Sequence, residues 1–219
     1  MHNTVQNLIE IKNKIKHNLR DTNIINLPNI IAVSKTFKID KILPLIDYGH
    51  TDFGENKIQE AVNKWTEIKS KNTNIKLHMI GKLQTNKVKF AVKLFDYIHS
   101  VDSEKLAKKI ADEQEKVNKK IKIFIQVNIG NEEQKSGINK TKLVNLISYC
   151  KKINLNVIGL MCIPPANDDS STYFKEINLL NNSFDFTELS MGMSSDYIEA
   201  SKNSASYLRI GSSIFGKRF

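Results

Sequence analysis

Arginine is nearly missing from this chain. Only Arg20, Arg209 and Arg218 are Arg among 33 basic residues; the rest are Lys, set among 24 Asn and many Ile. The formal charge of +10 invites a nucleic-acid reading. Bidentate recognition of phosphates and base edges favours Arg over Lys, however. Scattered lysine reads instead as a compositional habit, and nucleic acid is not the expected partner. Cysteine is scarce too. Cys150 and Cys162 alone exclude a disulfide scaffold and a four-cysteine zinc site, and both read as small buried apolar residues. The histidines His2, His17, His50 and His99 show no metal-ligand spacing. No apolar run approaches the roughly 20 residues that cross a bilayer, so no membrane partner is expected. The first residues, MHNTVQNLIEIKNKIKHNLR, lack an apolar h-region and a small-residue cleavage site. A soluble cytoplasmic protein is the expectation. No Pro-rich stretch, low-complexity linker or block of like charge interrupts the chain, so residues 1–219 read as one domain.

What is present is a rhythm. A short apolar run, a polar loop and a longer amphipathic stretch recur eight times. After a first helical segment over Thr4–Arg20, strands are expected at Ile30–Lys35, Thr51–Asn56, Leu77–Gly81 and Tyr97–Asp102. Four more follow at Lys122–Asn128, Val157–Met161, Thr187–Gly192 and Tyr207–Ser212. Helices are expected between them: Ile39–Tyr48 closed by Gly49, Ile58–Lys69, Gln84–Phe95, and one capped by Ser103 that runs to about Lys119. Lys140–Lys152, Ser171–Asn181 and Asp196–Ser204 complete the series. Strict βα alternation implies parallel strands with right-handed crossovers, and eight units close into a (β/α)8 TIM barrel. A doubly wound sheet is the alternative, but no GxGxxG follows the first strand.

In such a barrel the functional groups sit where the strands end. Lys35 closes the run Ile-Ile-Ala-Val-Ser. A partly buried amine there is suited to Schiff-base chemistry, although, with 30 lysines in the chain, Lys35 taken alone is better explained as a lysine reaching out to water. LSMGMSSD (Leu189–Asp196) and IGSS (Ile210–Ser213) place Gly and hydroxyls at the seventh and eighth strand ends, the positions barrels use most for phosphate. Arg209 lies inside an apolar strand and must find an acceptor, whether a carboxylate or a ligand atom. A Schiff-base lysine, a phosphate cradle and an inward Arg together point to pyridoxal 5′-phosphate (PLP). Glu55, Asp102 and Asp196 are candidate catalytic acids but read better as capping or surface carboxylates, Trp65 as core, and the lysines around Lys105–Lys120 as a solvated helix face.

Seven segments carry a wider likeness: IAVSKT (Ile31–Thr36), FGENKIQE (Phe53–Glu60), LHMIGKLQTNK (Leu77–Lys87), KSGI (Lys135–Ile138), GLM-IPP (Gly159–Pro165), LSMGMSSD and RIGSSIFGKR (Arg209–Arg218). Together they resemble the pyridoxal-phosphate homeostasis proteins, also called proline synthetase co-transcribed homologues. The resemblance implies a single barrel like the alanine racemase N-terminal domain. It also implies that Lys35 holds the PLP aldehyde, that Arg209 faces the pyridine nitrogen, and that Ser194, Gly211 and Ser212 bind phosphate. Asn56 and Met161 would line the cofactor, with His78 and Ser190 as further candidates; a satisfied structural role for His78 is an equal reading. Lys82 and Cys162 fall at positions regarded as variable in the family. The family is regarded as holding PLP and handing it over without turnover, to apo PLP-dependent enzymes as partners, and the protein is expected to be a monomer. A low-activity amino-acid racemase is the alternative. An Arg at the pyridine nitrogen weakens the ring as an electron sink, and racemisation needs a second acid/base on the opposite face.

Overall fold

The computed structural model describes residues 1–166 and 168–217. Arg218, the last residue of the final likeness segment, lies outside the described residues. Eight parallel strands close into a barrel in chain order. They are β1 (Asn29–Val33), β2 (Asp52–Glu55), β3 (Lys76–Met79), β4 (Tyr97–Val101), β5 (Lys122–Val127), β6 (Val157–Cys162), β7 (Glu188–Ser190) and β8 (Tyr207–Ile210). β8 pairs with β1 to complete the ring, so no edge is left exposed. The (β/α)8 expectation is therefore met. The strands are near-continuous apolar runs because the helices cover one face and lumen side chains the other.

The helices are α1 (Asn3–Asn18), α2 (Ile39–Asp47), α3 (Ile58–Lys71), α4 (Val88–Leu94), α5 (Glu104–Lys116), α6 (Leu143–Lys152), α7 (Ser170–Ser183), α8 (Tyr197–Lys202) and α9 (Ser212–Phe215). α9 is a single turn, too short to cover the seam between β8 and β1. α1 fills that place from the other end of the chain, packing on α2, α8 and α9. Asn7 ties it down by donating to the Ile214 carbonyl at 2.9 Å. Leu8, fully buried on α1, contributes roughly 1.5–3 kcal/mol by leaving water.

Several boundaries differ from the sequence reading. The helix expected over Gln84–Phe95 is a 3-10 turn at Thr85–Lys87 followed by α4. The stretch expected as helix from Lys140 likewise starts with a 3-10 turn before α6. α5 stops at Lys116 because Asn118 turns left-handed (φ 47°) and Lys119 N–H closes back on the Gln114 carbonyl. β8 ends at Ile210, and Ser212 opens α9 rather than ending the strand. Ser103 caps α5 as expected, accepting from Leu106 N–H at 3.4 Å. On α5, Lys108, Lys109 and Lys116 pair with Asp112 and Glu113 one turn away, as a solvated face should. Lys119, past the helix end, departs from the expectation, being half-buried and donating to the Phe95 carbonyl at 2.7 Å.

Two packed regions result. Phe53, Trp65 and Leu8 belong to the large core between barrel and helices. Ile31, Tyr97, Phe124, Met161 and Tyr207 come from five strands and touch one another inside the lumen. The pairing of β4 with β5 slips between Ile98 and Val101, leaving one extra residue on β4 at His99–Ser100. Such an irregularity re-aims the side chains around it.

Candidate functional site

At the C-terminal ends of the strands lies a pocket of about 400 Å3. Lys35, Asn56, Ser194, Arg209, Gly211 and Ser212 all line it. Met161 does not. It is buried in the lumen cluster against the aromatic rings.

Lys35 stands just past β1, and its backbone is pinned on both sides. Ser34 N–H donates to the Gly54 carbonyl at 3.0 Å, and the Ser34 hydroxyl donates to Glu55 at 2.7 Å. Lys64 of α3 donates to the Ser34 carbonyl and to Glu55, each at 2.9 Å. Thr36 N–H donates to Glu60 at 2.6 Å. Thr36 itself adopts φ 69°, a left-handed conformation that costs a β-branched residue about 1–3 kcal/mol. The Glu55–Lys64–Glu60 cluster holds that conformation in place. Glu55 is thus neither a cap nor a surface carboxylate. It is wholly buried, faces α3, and also accepts the Trp65 indole N–H at 3.0 Å. Trp65 is core, as expected, with this polar contact added. Burial tends to raise the Glu60 carboxyl, but Lys64 and the Thr36 N–H outweigh it and hold it below its ordinary value.

Arg209 enters from β8. It is 4% exposed, and no carboxylate lies within ion-pair distance of it among the described residues. Its guanidinium donates to the Ser190 hydroxyl at 2.7 Å and to the Cys162 carbonyl at 2.8 Å. Burial lowers its pKa from the ordinary value, yet an Arg stays charged in proteins. The pocket wall therefore carries a fixed positive charge with donors to spare.

The two Ser/Gly loops meet at one atom. Ser194 Oγ accepts from the N–H groups of Gly211 and Ser213, each at 3.3 Å. With both lone pairs engaged, its O–H is left as a donor. The first loop is shaped by Asp196, which takes the Met193 N–H at 2.6 Å, and by Gly192 at φ 84°. A Cβ at Gly192 would also strike the Ala200 side chain at 2.5 Å. Asn56 adds an Oδ1 that is buried without a hydrogen-bond partner among the described residues. Gly81 packs so tightly on it that a Cβ would lie 2.4 Å from the Asn56 carbonyl.

His78 and Ser190 lie deeper, in the lumen, and sequence reasoning assigned no site role to His99, which joins them there. Its position on the same face of β4 as Tyr97 was the available signal. The roles of Glu60 and Lys64 were also missed, although their i,i+4 spacing is a recognisable pair. Cys150 and Cys162 are buried, as expected. No group of three or more His, Cys, Asp or Glu suited to a metal occurs among the described residues. Nor is any described helix long and apolar enough to cross a membrane.

Comparison with known proteins places the chain in a family. The model of the alanine racemase N-terminal domain family matches residues 12–218. The pyridoxal phosphate homeostasis protein of Pasteurella multocida is 32% identical over 225 residues, covering 97% of both chains. The solved structure of PipY from Synechococcus elongatus with PLP bound superposes with a TM-score of 0.86 at 28% identity, over 97% of this chain and all of that one. An alanine racemase of Clostridium difficile shares the fold at a TM-score of 0.74 and 15% identity, with this chain covering 57% of that one. On these grounds the chain belongs to the alanine racemase N-terminal domain family and, within it, to the pyridoxal phosphate homeostasis proteins.

Proposed function

We propose that this chain binds PLP in the pocket at the C-terminal mouth of the barrel and maintains the intracellular supply of the cofactor. The observation that carries the reading is the convergence of Lys35, the buried Arg209 and the joined Ser194/Gly211 loops on one pocket of about 400 Å3. The donor set suits this cofactor. A pocket of that size falls in the range for small cofactors. When bound, PLP supplies an aldehyde that an amine can capture and a pyridine ring that draws electrons. Lys35 is the amine at the site, held on a pinned and strained loop. The Ser194 hydroxyl and the backbone around Gly211 and Ser212 form the polar cradle for the phosphate. Arg209 would face the pyridine nitrogen as a donor and, as a cation, would oppose its protonation. The unsatisfied Asn56 Oδ1 is an acceptor for a ring substituent. Met161 belongs to the layer of lumen side chains beneath, and Gly81 keeps the wall close to Asn56.

Binding without turnover is the reading we favour. Among the described residues lining the pocket, Lys35 and Arg209 are the titratable side chains; no His, Tyr, Cys, Asp or Glu stands there as a second acid/base. We read residues 1–219 as one cytoplasmic, monomeric domain that passes PLP to apo enzymes. Borohydride reduction of the PLP-loaded protein followed by peptide mapping tests the assignment: the pyridoxyl label is expected on Lys35, and a label elsewhere would sink it. Solvent-deuterium exchange at the α-carbon of common amino acids tests turnover, with no exchange expected.

A further inference from the structure

Four side chains from four strands join Arg209 to the far end of the barrel. Arg209 Nη1 lies 2.7 Å from Ser190 Oγ, which lies 2.9 Å from His99 Nδ1. His99 Nε2 lies 3.0 Å from His78 Nδ1, and His78 Nε2 lies 3.1 Å from Asp52 Oδ1. Ser190, His78 and His99 are fully buried. Tyr97 stacks on His78 with ring centroids 4.2 Å apart, and Phe124 on His99 at 4.4 Å, so apolar rings insulate the chain. Asp52 begins β2 and lines a separate cleft of about 570 Å3 at the N-terminal end of the barrel.

We propose that Asp52, His78, His99 and Ser190 form a one-way hydrogen-bond relay that orients Arg209 toward its ligand. The direction follows from the two ends. A guanidinium only donates, so Ser190 Oγ accepts from it. A carboxylate only accepts, so His78 must present Nε2–H to Asp52. His78 Nδ1 is then a lone pair, which requires Nε2–H on His99. His99 Nδ1 is in turn a lone pair, which takes the Ser190 hydroxyl proton. The opposite arrangement would set the lone pair of His78 Nε2 against the Asp52 carboxylate. Doubly protonated rings are opposed by burial, and at His99 also by the charges of His78 and Arg209. Lys76 and Asp96 are the other charges that act on His78, and His50 stands beside Asp52. These four are positioning residues: they touch Arg209, directly or through one another, and not the pocket.

The inference depends on the PLP reading only for what Arg209 serves. Its first test does not use PLP. In the 15N-labelled protein at neutral pH, long-range 1H–15N correlation should show His78 and His99 as Nε2–H tautomers, assigned with single His→Gln variants. An Nδ1–H or doubly protonated ring at either position would overturn the relay, whether or not PLP binds. The second test is PLP titration followed by the visible absorption of the bound form. Ser190→Ala should weaken binding roughly tenfold, the worth of one hydrogen bond to a charged group, and move the band. Ser190→Thr, which keeps the hydroxyl, should restore both. Equal loss in both variants, or an unchanged band in Ser190→Ala, would refute the orienting role. Failure of the wild-type protein to take up PLP at all would instead refute the proposed function, and the two tautomers would still decide for or against the relay.

Discussion

Lys64 of α3 reaches to 2.9 Å from the buried carboxylate of Glu55, directly behind the loop that presents Lys35. The pair is shielded from water, with side-chain exposures of 10% and 0%. Lys64→Met would strand that carboxylate and is expected to cost about 3–5 kcal/mol in urea unfolding. Glu55→Gln combined with Lys64→Met should recover most of the loss, because the amide oxygen still accepts from Ser34 and Trp65. A double variant as unstable as Lys64→Met would show that the cost lies elsewhere.

Gly81→Ala should damage the pocket more than the fold. The new Cβ meets the backbone carbonyl of Asn56 at 2.4 Å, so the loop after β2 must move. PLP titration should show a loss of about tenfold or more in affinity, the scale of one misplaced polar contact, with a stability cost of about 1–3 kcal/mol. Normal affinity in this variant would mean that Asn56 does not touch the ligand.

Stability should fall on mild acidification. Burial lowers His50 from 6.5 to about 4, and burial also lowers His78 and His99. Each folded pKa is depressed, so the unfolded chain binds more protons below pH 6.5. The contribution is therefore complete above pH 6.5 and is lost as pH falls toward about 4. Urea midpoints measured from pH 7.5 to 4.5 should hold level above about pH 6.5 and drop below it, and His50→Gln should flatten that drop. A midpoint that held constant over that window would contradict the buried neutral state.

Both thiols should be inert in the native protein. Burial pushes Cys150 up to about 11 and Cys162 up to about 12, so almost no thiolate exists at neutral pH. An aromatic disulfide reagent should label neither until urea is added, after which both react. Fast labelling of the native protein would show that one of these sites opens.

The fold was legible in the sequence because each level of it repeats. Eight apolar runs alternating with eight amphipathic stretches leave few architectures, and burial on both faces explains why the strands read as unbroken apolar runs. Element ends were less legible. Asn118 turns left-handed after α5, and 3-10 turns open two of the helical stretches, because tertiary closure rather than periodicity sets those residues.

Sequence alone singled out Lys35, Arg209 and the two Ser/Gly loops, since each is a chemical exception in its local run: a cation or a hydroxyl where apolar residues prevail. It could not pair them. Whether Ser194 would meet Gly211, or Glu55 would turn outward to Lys64, depends on contacts between residues many positions apart. The line from Arg209 to Asp52 is the clearest case. Its members stand on β2, β3, β4, β7 and β8, and only closure of the barrel brings their side chains into one lumen, where burial favours polar atoms that pair with one another.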